Sequence, residues 1–199
     1  MRYLIFSYWL TRYQLVQERD TQTMQLEDTI GYWLSYAQRC FASAFFEVLQ
    51  AHCMKLEKPY VVTPPQWGIL ALLSRRDRQT ISMLAQQLGV DGPAVTNIVK
   101  RLEQSGLVER VRDREDERVV NVLLTTEGQN IVRSLIPLVA QFHEQVLPGN
   151  ERQMLLEQLR HLIAQISTVA PEAGERFRLL QDHLWQREQE QENPKEEAQ

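Results

Sequence analysis

The feature that most restricts what this chain can fold into lies in residues 82–106, where two short helix signatures flank a tight link. Ser82 is placed to cap a helix through MLAQQLG, and Gly89 closes it, since glycine tolerates the left-handed backbone that ends helices. Asp91 is placed to cap the next helix, which runs through Pro93, Val95, Ile98, Val99 and Leu102 to Gly106. Two short helices joined across residues 89–92 make a helix-turn-helix candidate. LVERVR, a charged DREDE and RVVNVLL follow, reading as two β-rich arms around a turn, although alternation on the second arm is imperfect. That hairpin is the expected wing.

Helices are expected on both sides. The segment from about residue 27 to 56 holds no proline and one glycine, Gly31, while Ile30, Leu34, Ala37, Phe41, Ala44, Val48 and Ala51 recur at steps of three and four. One helix that long leans on a second chain or runs between lobes. Lys58 and Pro59 end it, and Thr63-Pro64-Pro65-Gln66 restarts the chain with a capping residue, proline in the first turn and a glutamine able to reach back. Trp67, Leu70, Ala71 and Leu73 then give a short helix ending near Ser74, and RRDRQT reads as a surface loop. After the hairpin, Thr125 or Thr126 caps a helix, with Gln129 suited to pair with Thr126 and with Pro137 inside. Pro148-Gly149 breaks it, and Asn150 with Gln153 starts another, lined by Leu155, Leu159, Leu162, Ile163 and Ile166. The fold class is therefore mainly α with a small β hairpin.

Composition excludes some alternatives. Hydrophobic residues at 43% and charged residues at 24% rule out wholesale disorder. The net charge of -4 argues against a polyanion partner, but from residue 75 to 118 nine Lys and Arg stand against eight Asp and Glu, a local +1. The apolar run at residues 3–10 is too short to span a bilayer and no small-residue cleavage site follows it, so no membrane partner is expected, and residues 1–26 read as an amphipathic arm or a mistaken upstream start. Residues 171–199 read as an extra helical segment, with Phe177, Leu180 and Leu184 at helical spacing, and an acidic, disordered tail. Cys40 and Cys53 are too few for a disulfide framework, which fits a reducing cytoplasm. His52, His143, His161 and His183 are scattered, so neither metal nor cofactor is expected. No glycine-rich phosphate loop, nucleophile elbow or HExxH occurs, which speaks against an enzyme.

A short helix presented this way can enter the major groove of double-stranded DNA. With Val95, Val99 and Leu102 inside, Pro93, Ala94, Thr96, Asn97, Lys100 and Arg101 face out. Thr96 and Asn97 are base-reading candidates, because asparagine pairs bidentately with adenine and the threonine methyl can touch thymine. Lys100 and Arg101, one turn further on, suit phosphates. The hairpin gathers Arg110, Arg112, Arg114 and Arg118 among Asp113, Glu115, Asp116 and Glu117; an arginine at its tip can enter a narrow minor groove. The competing readings are a solvated surface helix and a salt-bridged turn.

The run from Ile81 to Gly128 resembles the MarR family of bacterial regulators: LAQQLGV, then VTNIVKRLEQSGLVER, a charged turn ending Asp116-Glu117-Arg118, then LLTTEG. The flanking plan extends the likeness to roughly residues 27–167. The resemblance implies a winged helix-turn-helix lobe at 63–125, with a long first helix (27–62) and C-terminal helices (126–170) interlocking with a second subunit. It implies a homodimer on a pseudo-palindromic operator, commonly a repressor released by a small-molecule effector or by thiol oxidation. Thr96 and Asn97 match positions facing the major groove, Arg118 held by Asp116 matches the wing arginine, and Arg112 and Arg114 are further contacts. The family's effector pocket nominates Tyr36, Arg39, His52 and Trp67, against core packing for Trp67 and a surface or interface role for His52. Cys40 and Cys53 are redox candidates, yet thirteen residues put them about 220° apart around one helix, so they cannot pair within it. Asp91-Gly92-Pro93 departs from the serine and polar residues common at this helix start. The reading from another class is a winged-helix interaction module without sequence-specific DNA binding.

Overall fold

The computed structural model describes residues 25–56, 60–113, 116 and 119–170. The arm at 1–24 and the segment at 171–199 lie outside the described residues. The chain divides into two compact units, residues 1–42 and 43–199.

In the first unit a single 3-10 turn, Leu26–Asp28, leads into α1 (Ile30–Cys53). The Thr29 hydroxyl donates to the Leu26 carbonyl at 2.7 Å and accepts from the Tyr32 amide at 3.3 Å, and the Trp33 indole donates to the Glu27 carbonyl at 2.8 Å. Tyr36 stacks on Tyr32 and meets Trp33 edge-on. No side chain described in this unit is buried.

The second unit begins with the last turns of α1, where Phe45, Leu49 and Cys53, four residues apart, are buried. The apolar stripe expected from Ile30 to Ala51 is mostly exposed, and the buried stripe lies roughly a third of a turn around the helix from it. A helix apolar on two faces gives a sequence pattern that does not say which one meets the chain's own core.

Next come α2 (Pro64–Arg75), β1 (Gln79–Thr80), α3 (Ile81–Leu88), α4 (Gly92–Gln104), β2 (Val108–Arg112), β3 (Val120–Leu124), α5 (Thr126–Val146) and α6 (Gly149–Val169). The expected start of α2 is present in full: the Thr63 amide donates to Gln66 Oε1 at 2.8 Å and the Gln66 amide to Thr63 Oγ1. The strands form one antiparallel sheet in the order β1-β3-β2, with Gln79 opposite Val122 and Arg110 opposite Val122 on the other side. Leu49, Ile69, Leu70, Leu84, Leu102, Leu107 and Leu135 are among the fully buried side chains, each contributing about 1.5–3 kcal/mol by leaving water.

Four local expectations change. The stretch read as a surface loop ends in β1, and Gln79 is buried: its amide donates to the Leu72 and Arg76 carbonyls and its Oε1 accepts from Gln87. A buried glutamine is tolerated there because its polar atoms are satisfied. Thr80, not Ser82, caps α3, accepting from the Met83 amide at 3.2 Å, since pairing with β3 holds Thr80 in the extended backbone a cap requires. Thr125 caps α5 through the Gly128 amide, so Gln129 stands one position too late to complete a capping box. Pro148 occupies the cap of α6 with no side-chain bond from Asn150.

Candidate nucleic-acid interface

The helix α4 is held from beneath by Val95, Val99 and Leu102, none of which retains any exposure. Asp91 Oδ1 accepts from the Ala94 amide at 2.7 Å, so the one carboxylate at the start of the helix is engaged as its cap. Gly89, in the left-handed conformation, ends α3 and lets the chain turn into α4.

This presentation leaves Thr96, Asn97, Lys100 and Arg101 exposed together on α4. The Thr96 hydroxyl donates to the Gly92 carbonyl at 2.9 Å, which fixes its rotamer and leaves the oxygen free to accept. The Asn97 side chain makes no hydrogen bond among the described residues, so a donor and an acceptor are both available.

At the wing, Arg112 is exposed at the end of β2. The turn is closed at its base by Asp113 N–H to the Val119 carbonyl at 2.8 Å and Val119 N–H to the Asp116 carbonyl at 2.9 Å. Asp113 also accepts from the Asn121 amide at 3.0 Å. Arg114 and Arg118 lie outside the described residues, and with them the pairing of Asp116 to Arg118.

Arg110 has a different partner. Its Nε donates to both Glu103 oxygens, at 3.0 and 3.1 Å, and its Nη2 to one of them. That fork holds the Glu103 carboxyl below its ordinary range and raises the guanidinium above its own. Glu103, like the Asp113–Asn121 pair, carries no local signal in the sequence, because each contact forms only when strands and helices meet.

The effector nominees fall in both units. Tyr36 and Arg39 are exposed in the first. In the second, Trp67 packs against the core, and His52 Nε2 is enclosed without a hydrogen-bond partner among the described residues. Cys40 is exposed in the first unit; Cys53 is buried in the second, where burial pushes its thiol up and disfavours the reactive thiolate. Among the described residues no cluster of three or more His, Cys, Asp or Glu could hold a metal ion, and no helix is long and apolar enough to cross a membrane.

Comparison with known proteins adds four findings. The sequence profile described as MarR family matches residues 62–120. The HTH-type transcriptional regulator FarR of Neisseria gonorrhoeae is 34% identical over 108 residues, covering 53% of this chain and 73% of FarR. Among solved structures, the transcriptional repressor CouR bound to a 23-mer DNA duplex is 26% identical with a TM-score of 0.58, over 74% of this chain and 99% of that one. A mutant of MarR from E. coli complexed with operator DNA is also 26% identical, with a TM-score of 0.54, over 65% and 92%.

Proposed function

Since the chain belongs to the MarR family and is a winged-helix DNA-binding transcriptional regulator, we propose that it acts as a homodimeric repressor on a pseudo-palindromic operator. The observation that carries this reading is the polar row Thr96, Asn97, Lys100 and Arg101, exposed on a helix whose opposite face is fully buried, with Arg112 on the adjacent strand. In this reading Thr96 and Asn97 meet base edges, and Lys100 and Arg101 meet phosphates. Arg112, Arg114 and Arg118 supply the wing contacts, Arg118 oriented by Asp116.

Two copies are supported by α6, which buries no side chain yet exposes Met154, Leu155, Leu156, Ile163 and Ile166. Paired lobes would read half-sites about 34 Å apart, one turn of duplex. Release by a small molecule is supported by the enclosed Nε2 of His52, which has no hydrogen-bond partner among the described residues. Tyr36, Arg39 and Trp67 are the further nominees. Cys40 is the better placed of the two thiols for oxidation, being the exposed one. The site of action is the cytoplasm, and no catalytic step belongs to the function.

The interaction-module reading has one observation in its favour: over the described part of α4, its cap and the wing, the basic residues Lys100, Arg101, Arg110 and Arg112 are outnumbered by the acids Asp91, Glu103, Glu109, Asp113 and Asp116. Selection of randomised duplexes on the purified protein separates the two. The expected outcome is an imperfect palindrome, with Asn97→Ala relaxing the preference at one position per half-site and Arg118→Ala weakening binding while the dimer stays folded. Folded protein that enriches no sequence would transfer the case to the interaction module.

A further inference from the structure

Thr96, Lys100 and Glu103 are spaced four and three apart, so they share one stripe along α4. An acid at the end of a row that faces a polyanion is unexpected, and its partner explains it. Alternation along β2 puts Val108, Arg110 and Arg112 on one side of the strand, with Val108 buried, and Arg110 reaches across to grip Glu103 with a two-pronged fork. Both side chains keep a substantial exposure, 40% for Arg110 and 35% for Glu103, so the pair lies at the surface. Lys100, Arg101 and Arg112 around it make no ion pair among the described residues.

From this geometry, and on the DNA-reading role proposed above, we infer that Glu103 is a specificity-determining residue: it withholds the Arg110 guanidinium from DNA phosphates, while Arg110 shields DNA from the Glu103 carboxylate. Surface ion pairs add little to stability, so holding the fold together is a poor account of this one. Its consequence for binding is larger. Each phosphate contact adds to affinity for every sequence alike and steepens the dependence on salt by about 0.9 in the log–log slope. A guanidinium freed at the corner between recognition helix and wing would strengthen non-specific binding without reading a base. Keeping it on Glu103 preserves the ratio between operator and bulk DNA, the quantity that matters when competing sites are abundant.

The pair makes opposite predictions for its two members, which a merely structural brace would not. The experiment measures binding of the full chain to its selected operator and to a scrambled duplex of equal length, over a range of salt. Wild type, Glu103→Gln, Arg110→Gln and the double variant are compared, each checked for fold and dimerisation. Glu103→Gln is expected to bind the scrambled duplex about fivefold more tightly near 0.15 M salt, with a slope steeper by about 1 and a smaller operator preference. Arg110→Gln is expected to weaken binding to both duplexes, and the double variant to return within about twofold of wild type. Loss of affinity in both single variants, or no change in Glu103→Gln, would overturn the inference while leaving the DNA-reading role intact. A wild-type protein indifferent to operator and scrambled duplex would sink that role and the inference with it.

Discussion

Within the winged lobe α2, α3 and α4 each turn at least one side chain to complete burial, Ile69 and Leu70, Leu84, and Val95, Val99 and Leu102 respectively. The helix α6, at 21 residues against 13 for α4, buries none of its side chains although leucine and isoleucine recur along it. The first turns of α1 resemble α6 in this respect, with Ile30, Trp33, Leu34 and Tyr36 exposed. Short helices are marginal alone and derive their stability from packing. The lobe's core, completed by the last turns of α1 and by α5, thus holds the recognition helix, whereas α6 has an apolar surface that the described residues do not cover. That is the expected division in a protein whose recognition element must be rigid in each copy and whose assembly creates the spacing between copies.

The contrast can be tested by damage to each region. Leu102→Ala should cost about 2–5 kcal/mol, by cavity formation beneath α4, and should abolish operator binding at physiological temperature. Leu155→Ala in α6 should leave the melting of protein diluted until it is monomeric within about 0.5 kcal/mol of wild type. Equal losses in the two melting curves would erase the distinction. Placing glutamate at both Leu155 and Ile163 should convert dimer to monomer in sedimentation experiments and lower operator affinity by roughly 100-fold, since linked half-site binding is lost. A variant that stays dimeric would remove α6 from the assembly surface.

Smaller effects sharpen the picture of the lobe. A Cβ added at Gly128 would lie 2.0 Å from the Leu107 carbonyl oxygen, a backbone atom that cannot swing aside, so Gly128→Ala should destabilise by about 1–3 kcal/mol in chemical denaturation. The smallest effect concerns pH. His143 lies against the rings of Phe45 and Phe142, and burial first, then the Arg152 charge, hold its imidazole below the ordinary histidine value of about 6.5. Above that value the ring is neutral in folded and unfolded chains alike. Below it the unfolded chain takes up the proton first, so this residue makes stability fall with pH until the folded ring also titrates. Thermal melts between pH 7.5 and 5.5 should show a decline that is reduced in His143→Gln; an unchanged decline would assign it to other groups.

The sequence conveyed the lobe better than its surroundings, for physical reasons. Val95, Val99 and Leu102 have helical spacing and a single buried face, so periodicity identified the inside of α4, and Asp91, Gly89 and Thr63 act where local backbone chemistry requires them. The two-residue strand β1 is too short for any period, and its buried Gln79 looks polar until its three partners are seen. Sequence alone favours Ser82 over Thr80 as the cap of α3 and leaves Thr125 and Thr126 as alternatives for α5; pairing with β3 decides for Thr80, and the Gly128 amide for Thr125. The exposed candidates Thr96, Asn97, Lys100 and Arg101 were legible because they are what remains once the core is subtracted. Arg110 was legible as a basic wing residue, but its commitment to Glu103 depends on where a strand passes a helix.

The close approach at Gly128 has a mechanical consequence. The Thr125 amide bonds to the Leu107 carbonyl and the Thr125 hydroxyl to the Gly106 carbonyl, at 3.1 and 2.7 Å, so the first turn of α5 is bolted to the corner where the recognition helix gives way to the wing. From that fulcrum α5 extends 21 residues, an arm of about 31 Å. A tilt of one degree at the corner displaces the far end by only about 0.5 Å. Read in the other direction, half an ångström of displacement at the tip of the arm re-aims the corner that carries α4 and the wing, and the stiffness of the bolt leaves little slack in which to lose it.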